Sequence, residues 1–201
     1  VLPETLADCK NVEIIYGDAL KLDLKALIKE RFADCERVVV CANLPYYITS
    51  PIVMMLLESN LPIDEIEVMV QREAAQRLCA EIGTRDAGAV TVAVNYYGEA
   101  EILFDVGKES FMPSPKVDSA VIKITLRKQK EFDIDNEKAF FTMIKGAFSQ
   151  RRKTLVNSLS STVGISKDKI TSALGELGIS QTVRAEKMRM EDFVSLYGLL
   201  Y

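Results

Sequence analysis

Val38-Val39-Val40-Cys41-Ala42-Asn43-Leu44-Pro45-Tyr46 decides how this chain is read, because an unbroken apolar run there meets an amide, a stiff turn and an aromatic ring. Such a run, bounded by a polar turn, suits a strand covered on both faces, as in a parallel sheet sandwiched by helices. In open α/β sheets ligands bind in the crevice outside the carboxyl ends of strands, so Asn43 to Tyr46 stands where a ligand site is expected. Leu44 precedes a proline and is pushed towards extended geometry. Pro45 has no N–H and a fixed φ, so the turn is stiff and its carbonyls can stay free for a ligand. The result is a clamp rich in acceptors, suited to a flat base carrying an amino group. The same residues also read as an ordinary strand-ending turn, with Tyr46 and Tyr47 as core or rim aromatics.

Working outward, the first part alternates in the manner of βαβ units. Strands are expected at Asn11 to Ile15, Arg37 to Cys41 and Glu65 to Val70, and helices at Leu24 to Phe32, Pro51 to Ser59, Glu73 to Glu81 and Gly88 to Tyr96. Ala100 to Val106 and Val117 to Leu126 look like a closing antiparallel pair, the second with one clearly more apolar face. After Arg127-Lys128-Gln129-Lys130-Glu131 the strand signals stop. Helical periods follow at Glu137 to Ser149, Arg152 to Ser160, Lys167 to Leu177 and Glu191 to Leu199, with Asp135 or Asn136 capping the first and Ser166 the third. An α/β domain over residues 1–128 followed by a small all-helical domain over 129–201 is therefore expected.

With 201 residues, 48% of them hydrophobic, the chain can bury a sizeable core. No run approaches the roughly 18 apolar residues of a membrane span, and the cytoplasm is the default compartment. There is no histidine, which removes Ser-His-Asp and Cys-His mechanisms. Cys9, Cys35, Cys41 and Cys79 have no Cys-x-x-Cys spacing, so neither a metal site nor a disulfide framework is supported, and all four are expected as small buried hydrophobes. Residues 1–128 carry 14 Lys and Arg against 20 Asp and Glu, whereas residues 129–201 carry 11 against 9. Lys145, Arg151, Arg152 and Lys153 form a basic cluster without an intervening acid, and Arg184, Lys187 and Arg189 a weaker one. Such clusters neutralise phosphates, or simply solvate a helix face.

Asn43 to Ile52 resembles the amino-group methylation motif of the KsgA-type ribosomal RNA adenine dimethyltransferases, S-adenosylmethionine enzymes acting on the small ribosomal subunit. Further segments agree and run in the family's order along essentially the whole chain. Tyr16-Gly17-Asp18-Ala19-Leu20-Lys21 is similar to its third motif, and Val70-Gln71-Arg72-Glu73 to its next strand end. Phe111-Met112-Pro113-Ser114-Pro115-Lys116-Val117-Asp118-Ser119 is similar to its substrate-side loop, and Ala147 to Leu155 to its basic helical stretch. The continuation Tyr47-Ile48-Thr49-Ser50-Pro51 fits this branch better than the related antibiotic-resistance methylases of the large subunit.

The resemblance implies a Rossmann-like methyltransferase domain, its sheet mostly parallel with an antiparallel closing strand, and an RNA-binding helical tail. Asn43, Leu44, Pro45 and Tyr46 would carry methyl transfer to adenosine N6. The Asn43 side-chain oxygen and a carbonyl of Leu44 or Pro45 would accept the two N–H bonds of the amine, and Tyr46 would stack on the base. Asp18, together with Asn43, would contact S-adenosylmethionine, with a helix cap as the other reading of Asp18. Phe111 would be a second stacking wall or a core aromatic anchoring its loop, and Gln71 with Arg72 a structural network or a substrate contact. Arg151, Arg152 and Lys153 would meet ribosomal RNA of the immature small subunit. No metal, membrane or obligate protein partner is expected.

The sequence departs from the family where a Gly-rich cofactor loop and an acidic ribose ligand should precede Gly17. From this the chain is expected to be the C-terminal part of a longer protein, unable to hold the cofactor and inactive as it stands. An incomplete sheet would leave an open edge and room for association between copies. Two other functions share some of these features: a non-catalytic RNA-binding assembly factor, and a DNA adenine methylase.

Overall fold

The computed structural model describes residues 2–201. A short helix α1 (Leu2–Thr5) and helix α2 (Leu24–Arg31) precede strand β1 (Val39–Asn43). Helix α3 (Thr49–Glu58), strand β2 (Glu65–Gln71), and helices α4 (Arg72–Leu78) and α5 (Ala89–Tyr97) follow. Strands β3 (Gly98–Val106) and β4 (Ser119–Leu126) complete one sheet of order β1-β2-β4-β3. Beyond it the described elements are helical: α6 (Glu137–Phe148), α7 (Leu155–Thr162), α8 (Lys167–Glu176) and α9 (Met190–Leu200).

The sheet is mixed. β1 lies parallel to β2, while β4 runs antiparallel to both β2 and β3. In β2 the alternation of Ile66, Val68 and Val70 with Glu65, Glu67 and Met69 turns one apolar face inward, and register sets these three against Ile124, Ile122 and Ala120 of β4. On the opposite face Glu67 stands against Lys123, whose ammonium pairs with Glu101 of β3 at 2.5 Å. Helix α5 lies between the sheet and the helical part: Tyr96 and Tyr97 stack among Phe140 and Phe141 of α6, and Phe140 meets Tyr197 of α9 at 5.6 Å. One continuous core results, from Leu44 to Leu200.

Four expectations are corrected. Asn11 to Ile15 forms no strand; its alternation has the right period, but a strand exists only where a neighbour accepts its ladder, and none pairs with it among the described residues. The Val38 to Ala42 run is not covered on both faces, because alternate residues of β1 are exposed, Val39 at 38% and Cys41 with it. Cys9, Cys35 and Cys41 are exposed and Cys79 half-buried, so none is a buried hydrophobe; three sit on the loosely packed residues before α3. Burial by neighbouring groups, with Glu101 adding to it, pushes the Cys79 thiol up to about 11. Finally, α7 begins at Leu155 rather than Arg152, since Thr154 caps it by accepting the Asn157 N–H. Asn136 and Ser166 cap α6 and α8 as expected.

Candidate nucleotide and methyl-transfer site

Strand directions bring the carboxyl end of β1, the carboxyl ends of β2 and β3 and the start of β4 to one end of the sheet, where Asn43 neighbours Met69 and Gln71 neighbours Ser119, itself beside Val106. The clamp is built there. Leu44 is buried and its N–H donates to the Met69 carbonyl at 3.2 Å, continuing the ladder one residue past β1. The Pro45 carbonyl accepts from the Ile48 N–H at 3.1 Å and the Thr49 hydroxyl at 3.4 Å, closing a 3-10 turn (Tyr46–Ile48) into α3. That carbonyl is engaged, whereas the Leu44 carbonyl accepts no hydrogen bond among the described residues. Of the two backbone acceptors considered, Leu44 is the one left for a ligand. Asn43 is exposed, with no side-chain partner among the described residues.

Tyr46 is half-buried and its hydroxyl shares a 2.8 Å hydrogen bond with the Ser119 hydroxyl. That bond fixes the ring against β4 and gives Ser119 a positioning role that sequence reasoning missed. The signal was present, since Ser119 closes the Phe111 to Ser119 segment. Tyr47, by contrast, is 83% exposed.

The loop from β3 to β4 is tied to the same end of the sheet. The Asp118 carbonyl accepts the Arg72 N–H at 3.0 Å, its carboxylate accepts the Lys108 N–H at 3.1 Å, and the Arg72 guanidinium pairs with Asp105 at 3.3 Å. Arg72 is thus held by structural bonds. Phe111 is half-buried on this loop, and no aromatic ring packs on it among the described residues.

Asp18 lies apart from this construction. Its carboxylate accepts the Leu20 N–H at 3.0 Å and faces Lys21 at 3.6 Å, so it closes an exposed turn. It caps no helix; Asp23 does that for α2, accepting from the Ala26 N–H at 2.9 Å. Arg151, Arg152 and Lys153 form the exposed turn between α6 and α7, at the edge of the helical part. The Arg151 guanidinium donates to the Arg85 carbonyl at 2.6 Å, while Arg152 and Lys153 have no side-chain partner among the described residues. No group of three or more His, Cys, Asp or Glu placed to hold a metal occurs among the described residues, and no helix is long and apolar enough to cross a membrane.

Comparison with known proteins supplies the frame for this geometry. The family model described as ribosomal RNA adenine dimethylase matches residues 1–201. A ribosomal RNA small subunit methyltransferase A from Geobacillus thermodenitrificans is 45% identical over 100% of this chain and 69% of its own length. The protein of the same name from Clostridioides difficile is 42% identical, again over 100% of this chain and 69% of its own. Among solved structures, a dimethyladenosine transferase from Plasmodium falciparum superposes with a TM-score of 0.73 at 24% identity, covering 97% of this chain and 74% of that one. The 23S rRNA methyltransferase ErmE superposes with a TM-score of 0.66 at 24% identity over 99% of this chain and 76% of its own, a likeness of fold. On the family match and these identities the chain belongs to the ribosomal RNA adenine dimethylase family of methyltransferases.

Proposed function

We propose that this chain dimethylates adenosine N6 in small-subunit ribosomal RNA, with the clamp at the end of β1 as the reacting site, residues 1–128 carrying the chemistry and 129–201 the RNA contact. The observation behind this reading is the pairing of two unengaged acceptors, the Asn43 side chain and the Leu44 carbonyl, beside a ring fixed by Ser119. An exocyclic adenine amine is a poor nucleophile because its lone pair is delocalised into the ring. If Asn43 and Leu44 each accept one N–H, the nitrogen is steered and its lone pair turned towards the incoming methyl. Tyr46 contributes stacking, worth roughly 1–3 kcal/mol per base. Positioning of reactants can lower the barrier by roughly 7–11 kcal/mol, so no strong base is needed and the lack of histidine is no obstacle.

Of the residues present, Asp18 fits the adenine end of S-adenosylmethionine, since its carboxylate keeps lone pairs beyond the one engaged by Leu20 and can accept an adenine amino group, while the rest of the cofactor would need the Gly-rich loop and acidic ribose ligand that the sequence lacks before Gly17. The cofactor, when bound, supplies an activated methyl on a sulfonium. Asp18, Asn43, Leu44, Pro45 and Tyr46 act by accepting hydrogen bonds and shaping the site, with Pro45 holding the turn rather than touching substrate. Phe111, on a loop anchored to the same sheet end, serves as the opposite stacking wall for an adenosine that has left its stack. A monomethylated amine still offers one N–H to the same acceptors, whereas a dimethylated one offers none, which favours release after the second transfer.

The test is transfer of labelled methyl from S-adenosylmethionine to small ribosomal subunits by the wild-type chain and by Asn43→Ala. Loss of one such preorganised hydrogen bond should lower the rate by roughly 10²–10³ fold, with affinity for the subunit retained. An unchanged rate would remove Asn43 from the chemistry. Calorimetric titration with S-adenosylmethionine tests the cofactor assignment, and duplex DNA as competitor separates the ribosomal from the DNA reading.

A further inference from the structure

We infer that the cleft between α3, α5 and the helical part takes a single unstacked nucleotide of an RNA strand, base on an apolar floor and phosphates on a basic rim, apart from the methylation clamp. The inference rests on the RNA contact proposed for the Arg151 to Lys153 turn and names a second subsite for it.

The cleft encloses about 410 Å³, within the usual size of a small-ligand site. Met54 of α3 and Phe141, Ile144 and Phe148 of α6 supply apolar lining. Around them stand five cations, Arg77, Lys145, Arg151, Lys153 and Arg184, against the carboxylates of Asp86 and Glu186. None of Asn43, Leu44, Pro45 or Tyr46 lines it. Three of the cations are engaged: Arg77 with Glu73 at 2.7 Å, Lys145 with Glu58 at 3.4 Å, and Arg151 with the Arg85 carbonyl and Glu186. Lys153 and Arg184 are exposed and have no side-chain partner among the described residues. Two available cations above an apolar floor match a nucleotide, whose phosphate needs charge and whose base needs a flat, dry surface. A bare anion would have no use for Met54 and Phe148.

A polymer fits better than a free nucleotide because the rim does not end at the cleft. A second depression of about 340 Å³, lined by Gln76 and Arg85 among others, shares Arg77, Asp86 and Arg151 with the first. A strand leaving the cleft therefore finds one further cation, Arg85, beside the Glu73 carboxylate already paired with Arg77. The Gly88–Val90 start of α5 also lines the cleft and adds the positive end of a helix to the same field.

The experiment compares binding of a uridine decamer with that of a decamer lacking bases, by fluorescence anisotropy across a salt series. The wild-type chain should prefer the base-bearing strand by roughly 5- to 150-fold, the worth of one stacked base. Ala89→Trp, which fills the cleft without changing charge, should abolish that preference and leave binding of the abasic strand intact. The double variant Lys153→Gln with Arg184→Gln, confined to exposed side chains, should weaken both strands and make the slope of log K against log salt shallower by roughly 1.4. Arg152→Gln, outside the cleft, should weaken both strands and keep the preference. If Ala89→Trp, melting as wild type does, retains the preference, or if the double variant leaves the salt slope unchanged, the cleft holds no nucleotide and the inference falls. If Arg152→Gln and the double variant both bind the abasic strand as wild type does, the RNA reading of the basic turn falls and takes this inference with it.

Discussion

Helices α2 and α6 are a natural experiment in what makes a helix part of a fold. Both have an acidic or amide residue at the N-cap accepting an N–H three residues on, Asp23 for α2 and Asn136 for α6. Both carry apolar residues at helical spacing. Yet α2 has no fully buried residue, only Leu24 and Ile28 half-buried against the core, while α6 buries Phe140, Phe141, Met143, Ile144, Gly146 and Ala147. Local signals suffice for the helix; burial needs a surface from elsewhere in the chain, and α6 has α5, α7 and α9 around it. The same contrast holds across the whole first segment, where no residue before Leu44 is buried among those described.

That contrast can be broken most directly at its aromatic residues. Phe140→Ala removes a ring with no exposed surface and should cost about 3–5 kcal/mol in urea unfolding, whereas Phe32→Ala, 49% exposed beside α2, should cost about 0.5 kcal/mol or less. Similar costs for both would mean that the first segment is packed as tightly as the helical part.

Polar chemistry sharpens the comparison next. The Glu137 carboxylate accepts from the Tyr96 hydroxyl at 2.8 Å, the Tyr97 hydroxyl at 3.0 Å and the Lys130 ammonium, joining α5 to α6 across the connecting segment. Burial alone would raise its pKa, but the hydrogen bonds from Lys130, Tyr96 and Tyr97 outweigh that and hold it below the usual carboxylate value. A depressed folded pKa means stability that is present above the unfolded value and lost as pH falls through the folded one. Glu137→Gln should therefore cost about 1.5–3 kcal/mol at neutral pH, with the gap to wild type closing on acidification below roughly pH 4, which melting curves over pH 3 to 7 would record. Burial, with Glu137 adding to it, raises both tyrosine pKa values, so a second loss of stability is expected above roughly pH 10, where the unfolded tyrosines ionise. Breaking the exposed Arg31 to Glu13 pair at 2.8 Å beside α2 should change stability far less.

Glycines give the smallest and most diagnostic contrast. A Cβ on Gly146 would come within 2.6 Å of Val163 and 2.7 Å of Thr162, whose hydroxyl is itself bonded to the Ser158 carbonyl. A Cβ on Gly17 would come within 2.8 Å of Leu22, but that side chain is free to turn away. Gly146→Ala should cost about 1–3 kcal/mol and Gly17→Ala close to nothing, as chemical denaturation would show.

Much of this was legible in the sequence because it is local. The alternation in Glu65 to Gln71, the caps at Asn136 and Ser166 and the order of motifs each declare themselves within about a dozen residues. Whatever depends on a distant partner did not. Asn11 to Ile15 has strand periodicity without a strand to pair with, and the cysteines were judged by residue type rather than by the packing around them. At the site, Asn43 and Leu44 could be named from the motif, but that Pro45 spends its carbonyl on α3 and that Ser119 fixes Tyr46 from 73 residues away required the fold. The boundary of α7 was within reach, since Thr154 with Asn157 three residues on is a capping pattern placed after the basic run. The cleft was out of reach, being assembled from residues on α3, α4, α5, α6 and the turns around them.

The hydrogen bonds from Leu44 to Met69 and from Tyr46 to Ser119 make the sheet a measuring device. Asn43 reaches the position proposed for it only if β1 sits on β2 in one register and β2 on β4 in another. A slip of one residue in β1 would turn Asn43 to the opposite face, and a slip of two would carry it roughly 6.6 Å along the strand, out of reach of any base resting on Tyr46. The alignment proposed for the chemistry is thereby fixed by the spacing of peptide units, and its tolerance is that of a ladder whose rungs admit no intermediate settings.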